Sequence, residues 1–171
     1  MTLDTLLLAL EHTDLAMFIR EDDAAFPWIE SIHVLAITLV VGTIWMLDLR
    51  LIGWGSLERS VTAVSRAVLP CTWAAFAFAA ISGGLLFASN ATGYAHNNAF
   101  LAKFCLIGLA GINMLVFQKM ISGQMEQWAA TVIPHAKARL AGAISLVLWV
   151  SVIACGRWVG FTLKQVADSA G

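Results

Sequence analysis

Charge is what this sequence has least of. Lys, Arg, Asp and Glu make up 12% of its 171 residues, about half the share of an ordinary soluble domain. The net charge of −1, with no basic cluster, gives no surface built for nucleic acid. Cysteine is scarce too. Cys71, Cys105 and Cys155 fall singly inside apolar runs with no C-x-x-C spacing, so they read as small buried hydrophobes rather than as a disulfide framework or a zinc site. Phosphate loops, dinucleotide fingerprints, metalloprotease motifs and nucleophile–base arrangements are all missing, which favours a non-enzyme. With no internal repeat and no linker, residues 1–171 read as a single transmembrane domain.

What is present is apolar: 60% of the residues, with a mean hydropathy of +0.81. The apolar segments are long enough to predict an all-α integral membrane protein, an up-down-up-down four-helix bundle. The spanning helices are expected at about residues 28–52, 67–89, 99–121 and 139–162. Pro27 and Pro70 stand near two of the starts, and Gly53-Trp54-Gly55 ends the first. Residues 3–19 are apolar but broken by Glu11, His12 and Asp14. They predict an amphipathic helix lying at the membrane interface, with Leu3, Leu6, Leu7 and Leu10 on its boundary. Asp4 as the first charge argues against a signal peptide.

Helix 1 carries most of the polar chemistry. Glu30 and Asp48 bracket 17 uncharged residues, about 27 Å of helix and close to the thickness of a bilayer core. Helix 4 repeats that spacing with Arg139 and Arg157. Antiparallel neighbours would then join Glu30 to Arg157 at one rim and Asp48 to Arg139 at the other, a two-ended ionic clamp.

His33 lies one turn inside Glu30. Lys103 and Arg157 fall at a similar depth, and Gly83-Gly84 on helix 2 leaves space there. One reading makes His33 the ligand of a haem b iron, with Lys103 and Arg157 holding its propionates. A second makes His33 a copper ligand in a permease, with sulfur from Cys105, Cys155 or methionines. A third is a non-catalytic accessory or assembly subunit, in which the polar groups only fix helix packing. Lys103 itself either snorkels to the headgroups or lines a small cleft holding an anionic group.

Loops 1–2 and 3–4 hold Arg50, Arg59, Arg66, Lys119, Lys137 and Arg139, against Arg20, Lys103, Arg157 and Lys164 on the other side. That bias predicts both termini outside the cytoplasm. The expected surroundings are the lipid bilayer and a membrane or periplasmic protein partner.

Helix 1 reads E-x-x-H…G…D-x-R-x-x-G through Glu30, His33, Gly42, Asp48, Arg50 and Gly53. With S-G-G-L-L-F-A-S at 82–89, Asn98-Ala-Phe100, Lys103, Asn113 and Gly156-Arg157, the chain resembles an uncharacterised family of small four-helix bacterial inner-membrane proteins. Helix 1 is also faintly similar to the copper-resistance D family and to cytochrome-b-like bundles. The resemblance implies a multi-pass protein of the bacterial inner membrane with no assigned activity.

Overall fold

The computed structural model describes residues 2–54, 61–122 and 136–169, and among these there is no strand. Two short helices come first, α1 (Leu3–Glu11) and α2 (Asp14–Glu21). One continuous helix was expected over this stretch. The chain breaks because Thr13 caps α2, its hydroxyl accepting from the Ala16 N–H, just as Thr2 caps α1 through Thr5. Leu7, Ala16 and Ile19 turn inward, while Leu3 and Leu6 stay exposed. The apolar edge expected of an interfacial segment is therefore present, with Leu7 withdrawn from it.

The first long helix, α3, covers Ala25–Ile52 and ends at Gly53, whose φ of +93° is the left-handed geometry that favours glycine at a helix stop. The second, α4, covers Val61–Ser89 and starts ahead of the expected boundary, so Pro70 sits inside the helix rather than near its beginning. Residues 89–98, expected as a polar connection, hold the short helix α5 (Ala91–Ala95), capped by Asn90. The remaining long helices are α6 (Asn98–Ser122) and α7 (Ala136–Ser169). The expected tail from Asp168 is helical through Ser169. Residues 55–60 and 123–135, which carry most of two expected loops, lie outside the described residues.

Each of the four long helices contains a stretch apolar and long enough to cross a membrane, and this is a multi-pass membrane protein. Leu35, Phe78, Val116 and Val147 are all more than half exposed along them. So large an apolar surface suits hydrocarbon, not water.

The helices associate unevenly. α3 packs along α4, α6 packs along α7, and α3 packs against α7, whereas α4 and α6 meet more sparsely among the described residues, with Phe87 stacked on Phe100 at 5.6 Å between ring centres. Below the middle of the bundle, Leu47 and Leu51 of α3, Val61 of α4, Phe117 of α6 and Ala138 of α7 form a buried cluster. At the other end, α1 lies against α5 and α2 against α4. The Glu11 carboxylate accepts from the Thr92 backbone N–H at 2.6 Å, tying the N-terminal helix to the connection between α4 and α6.

Candidate functional site

Two polar layers sit in the apolar surroundings, and they differ in what holds them. The first is built on His33. Ser82 on α4 points its hydroxyl at the Phe78 carbonyl, 2.7 Å away, and His33 Nδ1 lies 3.0 Å from that Ser82 oxygen. With its one hydrogen engaged, the hydroxyl accepts from Nδ1–H, and the Ala79 backbone is a further hydrogen-bond partner of the ring. Gly83 makes the approach feasible: a Cβ there would stand 2.8 Å from His33 Cε1, while at Gly84 it would meet nothing within 4 Å. The space expected beside the paired glycines is occupied, at Gly83, by the histidine ring itself.

Lys103 joins this layer. It is half-buried and close enough to His33 for its charge to act on the ring, and its Nζ lies 3.6 Å from where a Gly156 Cβ would be. It therefore leans across α7 rather than away from the bundle. Arg157 does not join. It is exposed, with its guanidinium 5.1 Å from the centre of the Phe161 ring. Of the three residues expected to hold a cofactor, the fold brings together His33 and Lys103. Among the described residues, no three His, Cys, Asp or Glu side chains are grouped as a metal site would need.

The ionic clamp does not form. Glu30 is exposed, near Tyr94 rather than Arg157. Arg139 donates from Nε to the Ile52 carbonyl at 3.1 Å, and the hydrogen-bond partner of Asp48 is Ser145. The reasons are register and azimuth. α7 meets α3 through Gly142, whose Cβ would stand 3.0 Å from the Asp48 carbonyl oxygen, and through Ser145. Three and six residues at about 100° each put Arg139 roughly 60° and 120° round from those two contacts. Arg139 still reaches α3, but at Ile52, four residues and about 6 Å of helix beyond Asp48. The matched spacing put the pair level; the packed helices do not.

The second layer surrounds Asp48, which is 4% exposed. Ser145 donates to the carboxylate, and Oδ2 has no hydrogen-bond partner. Asp48 lines a cavity of about 140 Å³ bounded by all four long helices, with Thr43, Thr72, Asn113 and Trp149 among its other walls. His33 is not among them. Thr72 donates to Thr43 Oγ1 at 2.9 Å, and Asn113 Nδ2 donates to the Ala141 carbonyl at 3.0 Å.

Sequence reasoning singled out Asp48 and Asn113 but missed their surroundings. Ser82, Ser145, Thr43 and Thr72 were legible only as hydroxyls inside apolar runs, a signal too common to stand out.

A family model matches residues 23–162. The chain belongs to that family, DUF6644, a family of unknown function. The DUF6644 match takes in three of the long helices whole, the fourth as far as residue 162, and both polar layers, and leaves α1 and α2 outside. No curated protein and no solved structure matches the chain.

Proposed function

We propose that this protein binds a small, largely apolar molecule in the cavity between its spanning helices, with Asp48 as the polar anchor. One observation carries the reading: Asp48, 4% exposed and with one carboxylate oxygen unpartnered, lines a space bounded by all four helices. Keeping a carboxylate there costs several kcal/mol relative to an apolar side chain of similar volume. Ionisable groups inside spanning segments mark binding or transport sites more often than packing needs. Catalysis is not part of the proposal.

The test is thermal unfolding of the purified protein against a panel of small apolar compounds. A ligand for the native state raises the melting temperature. Gly111 borders the cavity, and nothing stands within 4 Å of where its Cβ would go, so Gly111→Leu adds bulk at that wall while leaving Asp48 in place. Compounds that stabilise the wild type should lose their effect in that variant. Equal shifts in both proteins would end the proposal.

The wider arrangement belongs to the same reading: one domain, crossing up-down-up-down in a bacterial inner membrane, with both termini periplasmic. The His33–Ser82 and Thr43–Thr72 bonds, and Asn113–Ala141 beside Lys103–Gly156, support alternating directions. A cysteine placed at Asn97 should label from the periplasmic side; labelling from the cytoplasm alone would reverse the orientation. A protein partner in the membrane or periplasm fits the exposed apolar faces.

A second reading keeps haem b at His33, and the half-buried Lys103 beside the ring, placed to meet a propionate, is what favours it. Purified protein with a Soret band that disappears in His33→Ala would establish it. Bound copper without that band would favour the permease instead.

A further inference from the structure

We propose, resting on the cavity as a binding site, that its ligand is a small lipophilic amine whose protonated nitrogen pairs with Asp48. The argument is an inventory of donors. The Thr43 hydroxyl gives its hydrogen to the Leu39 carbonyl at 2.8 Å, and that of Thr72 lies between Thr43 Oγ1 and the Val68 carbonyl. One of the two Asn113 Nδ2 hydrogens goes to Ala141, and Ser145 is turned to Asp48. The wall's hydroxyls are therefore committed to the protein, while Asp48 Oδ2 still needs a donor. A ligand that satisfies it must bring an N–H or O–H of its own.

Charge chooses between those two. Asp48 is the one Asp, Glu, Lys, Arg or His among the cavity's lining residues, so a cation there meets a counter-ion and no like charge from α4, α6 or α7. Trp73, Phe76 and Trp149 border the same space, and aromatic faces attract ammonium groups while rejecting anions. Size fixes the body. A cavity of about 140 Å³ is close to the roughly 150 Å³ that accepts a benzene ring. One aromatic or branched aliphatic group with an amine one or two carbons away meets these demands. A carboxylate or phosphate ligand does not, because it would set two negative charges together.

The experiment is ligand-observed fluorine NMR on the full chain in phosphatidylcholine nanodiscs at fixed lipid content. The probes are 4-fluorobenzylamine and its neutral match, 4-fluorobenzyl alcohol. The amine should bind the wild type at least tenfold more tightly than the alcohol. Asp48→Asn should remove most of that difference, and Gly111→Leu should abolish binding of both. Equal binding of the two probes, lost in Gly111→Leu, would overturn the amine and leave the cavity standing. Binding that Gly111→Leu does not change would overturn the cavity as well. Should Asp48→Asn fail to fold, the wild-type comparison of amine with alcohol still decides the ligand class.

Discussion

The imidazole of His33 rests on the bare backbone of Gly83, where a Cβ would stand 2.8 Å from Cε1. One residue on, Gly84 has nothing within 4 Å of the same position. Alanine should separate the two. Gly84→Ala gains helix propensity, up to about 1 kcal/mol, and should melt at or above the wild-type temperature. Gly83→Ala must push the ring off its seat and weaken the Ser82 bond, offsetting that gain by about 1–3 kcal/mol. Thermal unfolding in one detergent compares them; a Gly83→Ala protein as stable as Gly84→Ala would show that the ring moves freely.

The closest approach of α3 to α7 yields a similar contrast. A Cβ on Gly142 would lie 3.0 Å from both the Asp48 carbonyl oxygen and Leu51 Cβ, whereas one on Gly156 meets the lysine chain of Lys103 at 3.6 Å. Backbone cannot step aside as a lysine can. Gly142→Ala should cost about 1–3 kcal/mol by spreading the helices, and Gly156→Ala should be close to neutral. The readout is again the melting temperature, with retained helicity checked by circular dichroism.

Asn113 links α6 to α7 through its bond to the Ala141 carbonyl. Interhelical bonds of this kind in membranes are worth about 0.6 kcal/mol on average and at most about 1.7. Asn113→Leu should therefore destabilise the protein by no more than roughly that amount, because leucine also packs against the neighbouring apolar wall. A loss several times larger would mean that the amide holds more than this one bond.

Tyr94 is the single tyrosine of the chain, so absorbance near 295 nm follows its ionisation alone. Burial raises its pKa above the ordinary value of about 10, and the Glu30 carboxylate adds to the rise. A phenol whose folded pKa is raised leaves stability intact below the unfolded pKa. Stability is then lost as pH climbs through the folded value. The native protein should titrate later than the denatured chain, and Glu30→Gln should bring the midpoint part of the way back. An unchanged midpoint in Glu30→Gln would remove the carboxylate from the account.

The four spanning helices were legible because a bilayer imposes length and apolarity together, and both are written residue by residue. The stop at Gly53 was legible for a local reason, its left-handed φ. What could not be read was register and rotation. The spacing of Glu30 from Asp48 and of Arg139 from Arg157 follows from counting, but the level and the face at which the helices meet depend on where they touch. That line was set by Gly142 and Ser145 rather than by the arginines. His33 beside the 82–84 segment was closer to hand, since its depth and the glycines were both noted; Ser82 stood in the same motif, but without a role. The cavity escaped altogether, because a space between four helices has no sequence of its own.

The sparse contact between α4 and α6 has a consequence for how any occupant is measured. Both helices border the cavity, and among the described residues they meet near one end, where Phe87 stacks on Phe100. A molecule that reaches Asp48 between these two helices arrives sideways, dissolved in the bilayer rather than in the water beyond it. Its effective concentration is then a mole fraction in lipid. Doubling the nanodiscs at constant ligand dilutes the compound even though the aqueous volume is unchanged. Dissociation constants written per litre of water should drift with lipid content, while the same data plotted against ligand per lipid should fall on one curve.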